Sequence, residues 1–505
     1  MTTALQTRNS VMAIKEETTE GTPVAPAASG DYVALQADLS VESNFEELTN
    51  EELKGSIAPS QPTKGLEEPS ASFSHYFRHS GTEGTAPNYG PILKALMGEE
   101  KILTEYDTIV GSTTTVLKVD TGEGADYAKG DAVLVKNANG FEVRHVESVS
   151  GDDLTLNFAL ENAPGTGVNL GQSVNYKPKN ENHPTLSMWH YLANKGAIEL
   201  IAGTRVTAAS FDFSAGQNIN ANYSFEGTEY FFNPIEVTAT TKYVDWTDDD
   251  GTFAISVAEK MYKDPVELAE AIETAMNASA TTETYTVTYN HTGSDKGKFT
   301  FATATSTLFS LLWNTGTNAA NTIAGKVGFS SAADDTGATS YVSDNEQDLT
   351  SPQTASFDDT VPIQAKNALL MIGSQTDNVC ISSKNVTVDV GNTKTNIESI
   401  CEESGIEGSI IDQRAVTIRV LKKLNQYEVK DFENFRKNQE VRVQLTSGAK
   451  SGGNFQAGKT SSMYMSSGTI SSFQLTPEDG IAYLDMTISG FANANAEGEF
   501  HISHV

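Results

Sequence analysis

The chain has 505 residues, 38% hydrophobic and 20% charged, which is more than one ordinary core accommodates, so three or four domains are expected. With no long apolar run, a mean hydropathy of −0.33 and 40 Gly against 15 Pro, the composition excludes a helical membrane span and a collagen-like chain. Its 66 acidic residues against 34 Lys plus Arg leave a formal charge of −32, which excludes a conventional nucleic-acid binder, because such proteins gain affinity from basic groups that release phosphate counterions.

Residues 1–30 are rich in Thr, Ala and Pro, with one apolar patch from Val11 to Ile14, and read as an extended arm that orders only against another surface. The opening Met1-Thr2-Thr3-Ala4-Leu5-Gln6-Thr7-Arg8 lacks the basic and apolar stretches of a secretory signal, so a cytosolic fate is expected. Over 32–41, Val33, Leu35, Ala37, Leu39 and Val41 alternate with other residues and predict a strand. An acidic loop follows over 42–64. Ala71, Phe73, His75 and Phe77 then alternate with Ser72, Ser74, Tyr76 and Arg78, a second strand with one apolar face. Pro91 near a helix start and Gly98 just past its end predict one short helix.

The texture changes over 110–180 to valine-rich strands with Gly-Asp and Asn-Gly turns, read as a small β-barrel insert. Residues 205–213 and 220–226 form a hairpin-like pair. A second, α+β surface insert covers 237–352, with strands near 284–289 and 298–302. Its helix opens at Asp264-Pro265-Val266-Glu267, a capping pattern, and carries Val266, Leu268, Ile272 and Met276 on a core-facing stripe.

Residues 353–505 repeat the order of the first module. Val386, Val388 and Val390 alternate as Leu39 and Val41 do, and Glu407-Gly408-Ser409-Ile410 echoes Lys54-Gly55-Ser56-Ile57. Val416, Ile418 and Val420 repeat the second strand, 427–437 supplies a helix, and 468–473 with 481–488 repeats the closing hairpin. The reading is an internal duplication, mainly β: arm 1–30, first module 31–109 and 181–236, inserts 110–180 and 237–352, second module 353–505.

The chemical motifs fail on context. Gly453-Asn454-Phe455-Gln456-Ala457-Gly458-Lys459-Thr460 has P-loop spacing, but the strand 441–445 ends well upstream and no helix pattern begins at the lysine, so a glycine-rich surface loop is expected. Asp248-Asp249-Asp250-Gly251 would place Trp246 and Val257 at calcium-ligand positions, and reads as a solvated turn. His75 with His79 and His501 with His504 lack a third ligand nearby in sequence. Cys380 and Cys401 are too few for a disulfide framework and read as buried reduced thiols. No Gly-X-Ser-X-Gly elbow occurs. No catalytic residue, metal site or cofactor is assigned.

One resemblance is carried by Lys15-Glu16-Glu17-Thr18-Thr19-Glu20-Gly21-Thr22-Pro23, by Leu53-Lys54-Gly55-Ser56, and by Ser80-Gly81-Thr82-Glu83-Gly84-Thr85-Ala86-Pro87 running into Gly90-Pro91-Ile92-Leu93-Lys94-Ala95-Leu96-Met97-Gly98. Together these resemble the major tail tube proteins of long-tailed, non-contractile bacteriophages, best over the first hundred residues. The resemblance implies β-sandwich modules, each with one flanking helix, whose inner sheets join around a DNA channel. It implies rings of six modules, hence three chains here in place of a simple hexamer, stacked through the arm and a long loop. The implied stacking candidates are Glu46, Glu47, Glu51, Glu52, Lys54 and Gly55, with Glu402, Glu403 and Glu407 in the second module. Implied partners are further copies of the chain, the tape measure, tail-tip and tail-terminator proteins, and DNA in transit, repelled by the acidic bore; no membrane is implied, and the expected destination is the virion. The competing readings are a tail or capsid decoration protein and a glycan-binding adhesin, for which Trp189, Trp246 and Trp313 are scattered.

Overall fold

The computed structural model describes residues 7–505 apart from 28, 53, 56, 139, 194, 195, 280, 281, 305, 307, 308, 348, 350–355, 359, 427 and 494–497. Two units are distinguished: Met12–Met188 with Ala202–Glu229 and Thr354–Val505, and Met1–Val11 with Trp189–Ile201 and Tyr230–Gln353. The chain is mainly β, and no described helix is long and apolar enough to cross a membrane.

The first unit begins with β1 (Val11–Glu16), β2 (Ser40–Glu42), a hairpin of β3 (Phe45–Leu48) and β4 (Thr63–Glu67), β5 (Ser70–Tyr76), α1 (Gly90–Met97) and β6 (Gly98–Leu103). It continues through β7 (Ser173–Pro178), β8 (Ala197–Ser214, within this unit from Ala202 onward) and β9 (Asn220–Glu226). Antiparallel pairing gives the order β2-β5-β9-β8, and one row across it reads Val41, Ala71, Phe225, Val206. Side chains alternate between faces, so Phe73, Phe211, Tyr223 and Phe225 are buried while Ser72 and Ser224 face out. The predicted helix forms as α1, closed by Gly98 at φ 107°, a left-handed position that suits glycine.

Between β6 and β7 lies the small barrel. Strands Tyr106–Asp107, Asn169–Gly171, Ala132–Asn137, Gly140–Ser150, Asp153–Leu156 and Val116–Lys118 are neighbours in that order, and the Ile109 N–H donates to the Lys118 carbonyl at 2.8 Å, linking the two ends. Leu117, Val133, Val135, Val146, Leu154 and Leu170 fill it. Its limits are 106–171 in place of 110–180, because Tyr106–Asp107 pairs within the barrel while Ser173–Pro178 pairs with Gly98–Leu103.

In the other unit α2 (Pro265–Asn277) is capped by Asp264, whose carboxylate accepts from the Val266 and Glu267 N–H groups. Leu268, Ala269, Ile272 and Met276 are buried, and Val266 is only half-buried. The two expected strands form as Tyr285–Tyr289 and Phe299–Thr303 and pair with each other, around a core holding Trp246, Trp313, Phe301 and Phe329. In the turn at Asp248-Asp249-Asp250-Gly251, Asp249 and Asp250 are exposed as expected, while Asp248 is buried and accepts from Asp250, Gly251 and Tyr285.

The second repeat supplies β10 (Leu369–Gly373), β11 (Ser383–Glu398), β12 (Ile406–Lys423), α3 (Lys430–Lys437), β13 (Glu440–Ser451), β14 (Asn454–Glu478), β15 (Ile481–Gly490) and β16 (Phe500–His504). Its order is β11-β12-β15-β14, with the matching row Val388, Ile418, Ile488, Ile470. Both repeats carry a bulge in the last strand of the set, between Val206 and Ala208 and between Ile470 and Ser472. Shared strand order, shared helix position and a shared bulge establish the duplication. β8 also pairs with β11, Phe211 opposite Val388, so the two sets form one eight-stranded sheet. A second sheet, β10-β13-β14-β16-β7-β6, takes the N-terminal half of the 25-residue β14.

Several expectations are corrected. The arm is not free: Met12 and Ala13 are buried and pair with Val33 and Tyr32. Glu17 is also buried, accepting from Thr185, Ser187 and Gly203; burial raises its pKa against the lowering effect of these bonds. The strand over 32–41 is two short pieces, Tyr32–Val33 and Ser40–Glu42. The loop 42–64 contains half of a hairpin, and Glu407-Gly408-Ser409-Ile410 lies within β12, because the β11–β12 hairpin is far longer than its counterpart. The α+β unit begins at Tyr230, ahead of 237. Cys380 and Cys401 are exposed, since both fall outside strands, in the segments before and after β11. Leu53, Ser56 and Tyr427 lie outside the described residues.

His75, His145 and His504 are wholly interior, and burial pushes the first two down to about 4 and His504 to about 3. An unfolded histidine titrates near 6.5, so this stability is fully present above that pH and is lost as pH falls toward 4. Thermal denaturation at pH 5 should give a lower Tm than at pH 7.5, with up to about 2 kcal/mol lost per fully buried histidine. An unchanged Tm would mean that these rings are not held neutral.

Candidate functional site

The uncovered face of the eight-stranded sheet is built from the positions that alternate with the core. It carries short polar side chains: Ser72, Asn222, Ser224, Ser210, Thr387, Thr417 and Thr487. Glu42, Glu226, Asp212, Asp389 and Asp485 add carboxylates. Against them stand Lys423 at the sheet end and Arg419, whose guanidinium is held by Asp485 at 2.9 Å. That pairing raises the Arg419 pKa and lowers that of Asp485. Ser210 donates to Asp389 at 2.6 Å and Thr387 to Asp212 at 3.2 Å. The face is therefore smooth, hydrophilic and net negative, and its shallow groove beside the β8 bulge is lined by Ser72, Ala208, Asn222 and Asp389.

The sequence-predicted stacking residues are all exposed, on two tips. Glu46 and Glu47 lie on β3, with Glu47 held at 2.8 Å by Lys64, which lowers its pKa. Glu51, Glu52, Lys54 and Gly55 follow in the connection to β4, where Lys54 meets Glu52 at 2.9 Å. Glu402 and Glu403 lie in the β11–β12 turn and Glu407 is the second residue of β12. The base of the first hairpin meets this turn: the Glu67 N–H donates to the Ser404 carbonyl at 3.1 Å, and Asn396 donates to Glu68 at 2.7 Å. Glu20 bonds to Arg205 at 2.7 Å and accepts from the Ser409 N–H and hydroxyl at 2.6 Å. One segment of the supposed arm thus ties the first repeat to the second.

Sequence reasoning singled out the acids and missed the apolar residues among them. Ile57 and Ile400 are fully exposed, and Ile397 and Ile410 nearly half so. The helix expected over 427–437 forms as α3, but its exposed apolar face was missed: Phe432 and Phe435 lie against Phe473 of β14 yet are 48% and 36% exposed. The signal available was Phe432 and Phe435 at an i, i+3 spacing in a short helix that is otherwise polar.

Lys459 sits exposed within strand β14, so no helix N-terminus follows the P-loop-like letters. His75, His79, His501 and His504 are all buried, and both ring nitrogens of His501 lack a hydrogen-bond partner among the described residues. No three His, Cys, Asp or Glu side chains converge as a metal site among the described residues.

Arg205 is buried and also donates to the Ser409 and His183 carbonyls. Arg205→Ala leaves Glu20 without its cation and should lower unfolding free energy by about 3 kcal/mol, read by urea denaturation; a change below about 0.5 kcal/mol would show that the junction does not depend on it. No protein-family model matches the chain, and no curated protein sequence matches it significantly.

Proposed function

We propose that the chain is a structural protein that closes into rings and stacks into a tail tube of the kind formed by the major tail tube proteins of long-tailed, non-contractile bacteriophages, a conduit for DNA and not an enzyme. The observation that carries this reading is the β8–β11 junction. Two copies of one four-stranded set join edge to edge, and the outer edges, β2 and the C-terminal half of β14, pair with no other strand among the described residues. A repeat unit with one closed and two open edges of complementary kind is what head-to-tail association requires, and rotation closes it into a ring. Three chains supply six repeats.

The uncovered face supports the channel role. DNA must slide without being held, and a lining of Ser, Thr, Asn and carboxylates offers phosphates no free cation cluster. The exposed tips with Glu46, Glu47, Glu402 and Glu403 beside Ile57 and Ile400 are the proposed stacking contacts. Tape measure, tail-tip and terminator proteins are the proposed partners, with assembly in the bacterial cytoplasm and residence in the virion.

Mass measurement in solution with negative-stain microscopy should give rings or tubes whose ring mass is three times 54.1 kDa; six chains per ring, or monomers at every concentration, would overturn the reading. Rings carrying Asp212→Lys and Asp389→Lys should retain double-stranded DNA in a salt-sensitive manner while wild-type rings do not. Equal retention by both would remove repulsion from the account.

A further inference from the structure

The duplication contains its own template for the contact between chains. Each position in one repeat has a counterpart in the other, fixed by the matching rows: Val41 corresponds to Val388, Ala71 to Ile418, Phe225 to Ile488 and Val206 to Ile470. Counting from the shared bulge, Ser210 corresponds to Gln474 and Phe211 to Leu475; counting from Val388, Asp389 corresponds to Glu42.

Within the chain, Phe211 stands opposite Val388 and Ser210 opposite Asp389, and Phe211 and Val388 are fully buried. Their counterparts lie on the two open edges, where Leu475 is 60% exposed and Val41 is half-buried. The same contrast holds for the helices. The interior residues of α1, Ile92, Leu93, Leu96 and Met97, are fully buried, and the second repeat covers its C-terminal turn: Asn392 donates to the Leu96 carbonyl at 3.0 Å and Arg414 to the Met97 carbonyl at 3.1 Å. α3 ends in the same way, with a left-handed residue, Asn438 at φ 48° in place of Gly98, but Phe432 and Phe435 remain open to solvent.

Asn392 lies four residues beyond Val388, and Phe45 four residues beyond Val41. The strand opposite keeps the count, since Asn392 faces Arg414 and Phe45 faces Glu67. Phe45 is 42% exposed.

We infer that a second copy of this chain binds with Glu42 opposite Gln474 and Val41 opposite Leu475, and that its Phe45 covers the Phe432 and Phe435 face of α3. The inference rests on the ring reading and goes further in fixing register and anchor. It pairs exposed apolar groups with one another and satisfies both open ladders in a single contact.

The test uses the full chain with Cys380→Ser and Cys401→Ser, both at exposed positions. Adding Glu42→Cys and Gln474→Cys places thiols on directly opposed residues, whose Cα atoms in an antiparallel pair lie about 4.5–5.5 Å apart, within disulfide reach. Glu42→Cys with Glu478→Cys is the off-register control, four residues and about 13 Å further along β14. Oxidation should convert most of the first variant to covalent oligomers and little of the control. Phe45→Asp, at an exposed site that leaves the monomer's circular dichroism unchanged, should weaken ring assembly at least tenfold. Rings of three chains that cross-link only in the control, or in neither variant, overturn the register and leave the ring reading standing. Rings unaffected by Phe45→Asp overturn the anchor. Wild-type chain that stays monomeric at every concentration overturns the ring reading and this inference together.

Discussion

The backbone ladder between β8 and β11 is the constraint on which the first unit depends. It runs from Ala208 opposite Gly391 to Ser214 opposite Asn385, and it converts two sheets, each with two open edges, into one sheet with two. An unpaired strand edge is a row of unsatisfied donors and acceptors. The ladder therefore stabilises the junction and also dictates that both repeats present the same face on the same side. The alternation of Val386, Val388 and Val390 inward with Thr387 and Asp389 outward is what keeps register from slipping, because a shift of one residue would bury the carboxylate.

The second sheet makes the same junction from the other side. β16 lies between β14 of the second repeat and β7 of the first, with Ile502 facing both Met463 and Tyr176. Glu20 and Arg205 add a polar clasp, and the buried guanidinium spans carbonyls and a carboxylate from separate stretches of chain. Apolar pairing, strand insertion and a charge network thus converge on one boundary, so the two repeats behave as one body within that unit.

The sequence made legible whatever is local. Pro91 and Gly98 mark α1, Asp264 and Pro265 mark α2, and the alternation of Leu39 and Val41 against Val386 and Val388 reveals the duplication. It did not reveal who pairs with whom. The buried state of Met12 and Glu17 depends on Val33, Thr185, Ser187 and Gly203, and no periodicity in residues 1–30 encodes those partners. Nor does composition separate a strand tip from a loop, so the β11–β12 hairpin, which extends past Gly408, read as strand, loop and strand. The acids of the candidate tips were found because charge is visible in sequence. The exposure of Ile57, Ile400 and Phe435 was not, because an apolar residue reads as core until the fold leaves it uncovered.

The separation of partners along the chain has a kinetic consequence. Tyr176 and Ile502 are neighbours in space, and so are Ser210 and Asp389, so neither sheet can be completed by local hairpins alone, and contacts between such distant segments slow folding. The intervening stretches are not slack chain. The small barrel over residues 106–171 and the helix-bearing unit each enclose a core of their own, and either can condense early. Once condensed, each brings the strands on its two sides closer and reduces the length of disordered chain that must be closed. The two insertions thus act during folding as spacers that shorten as they form.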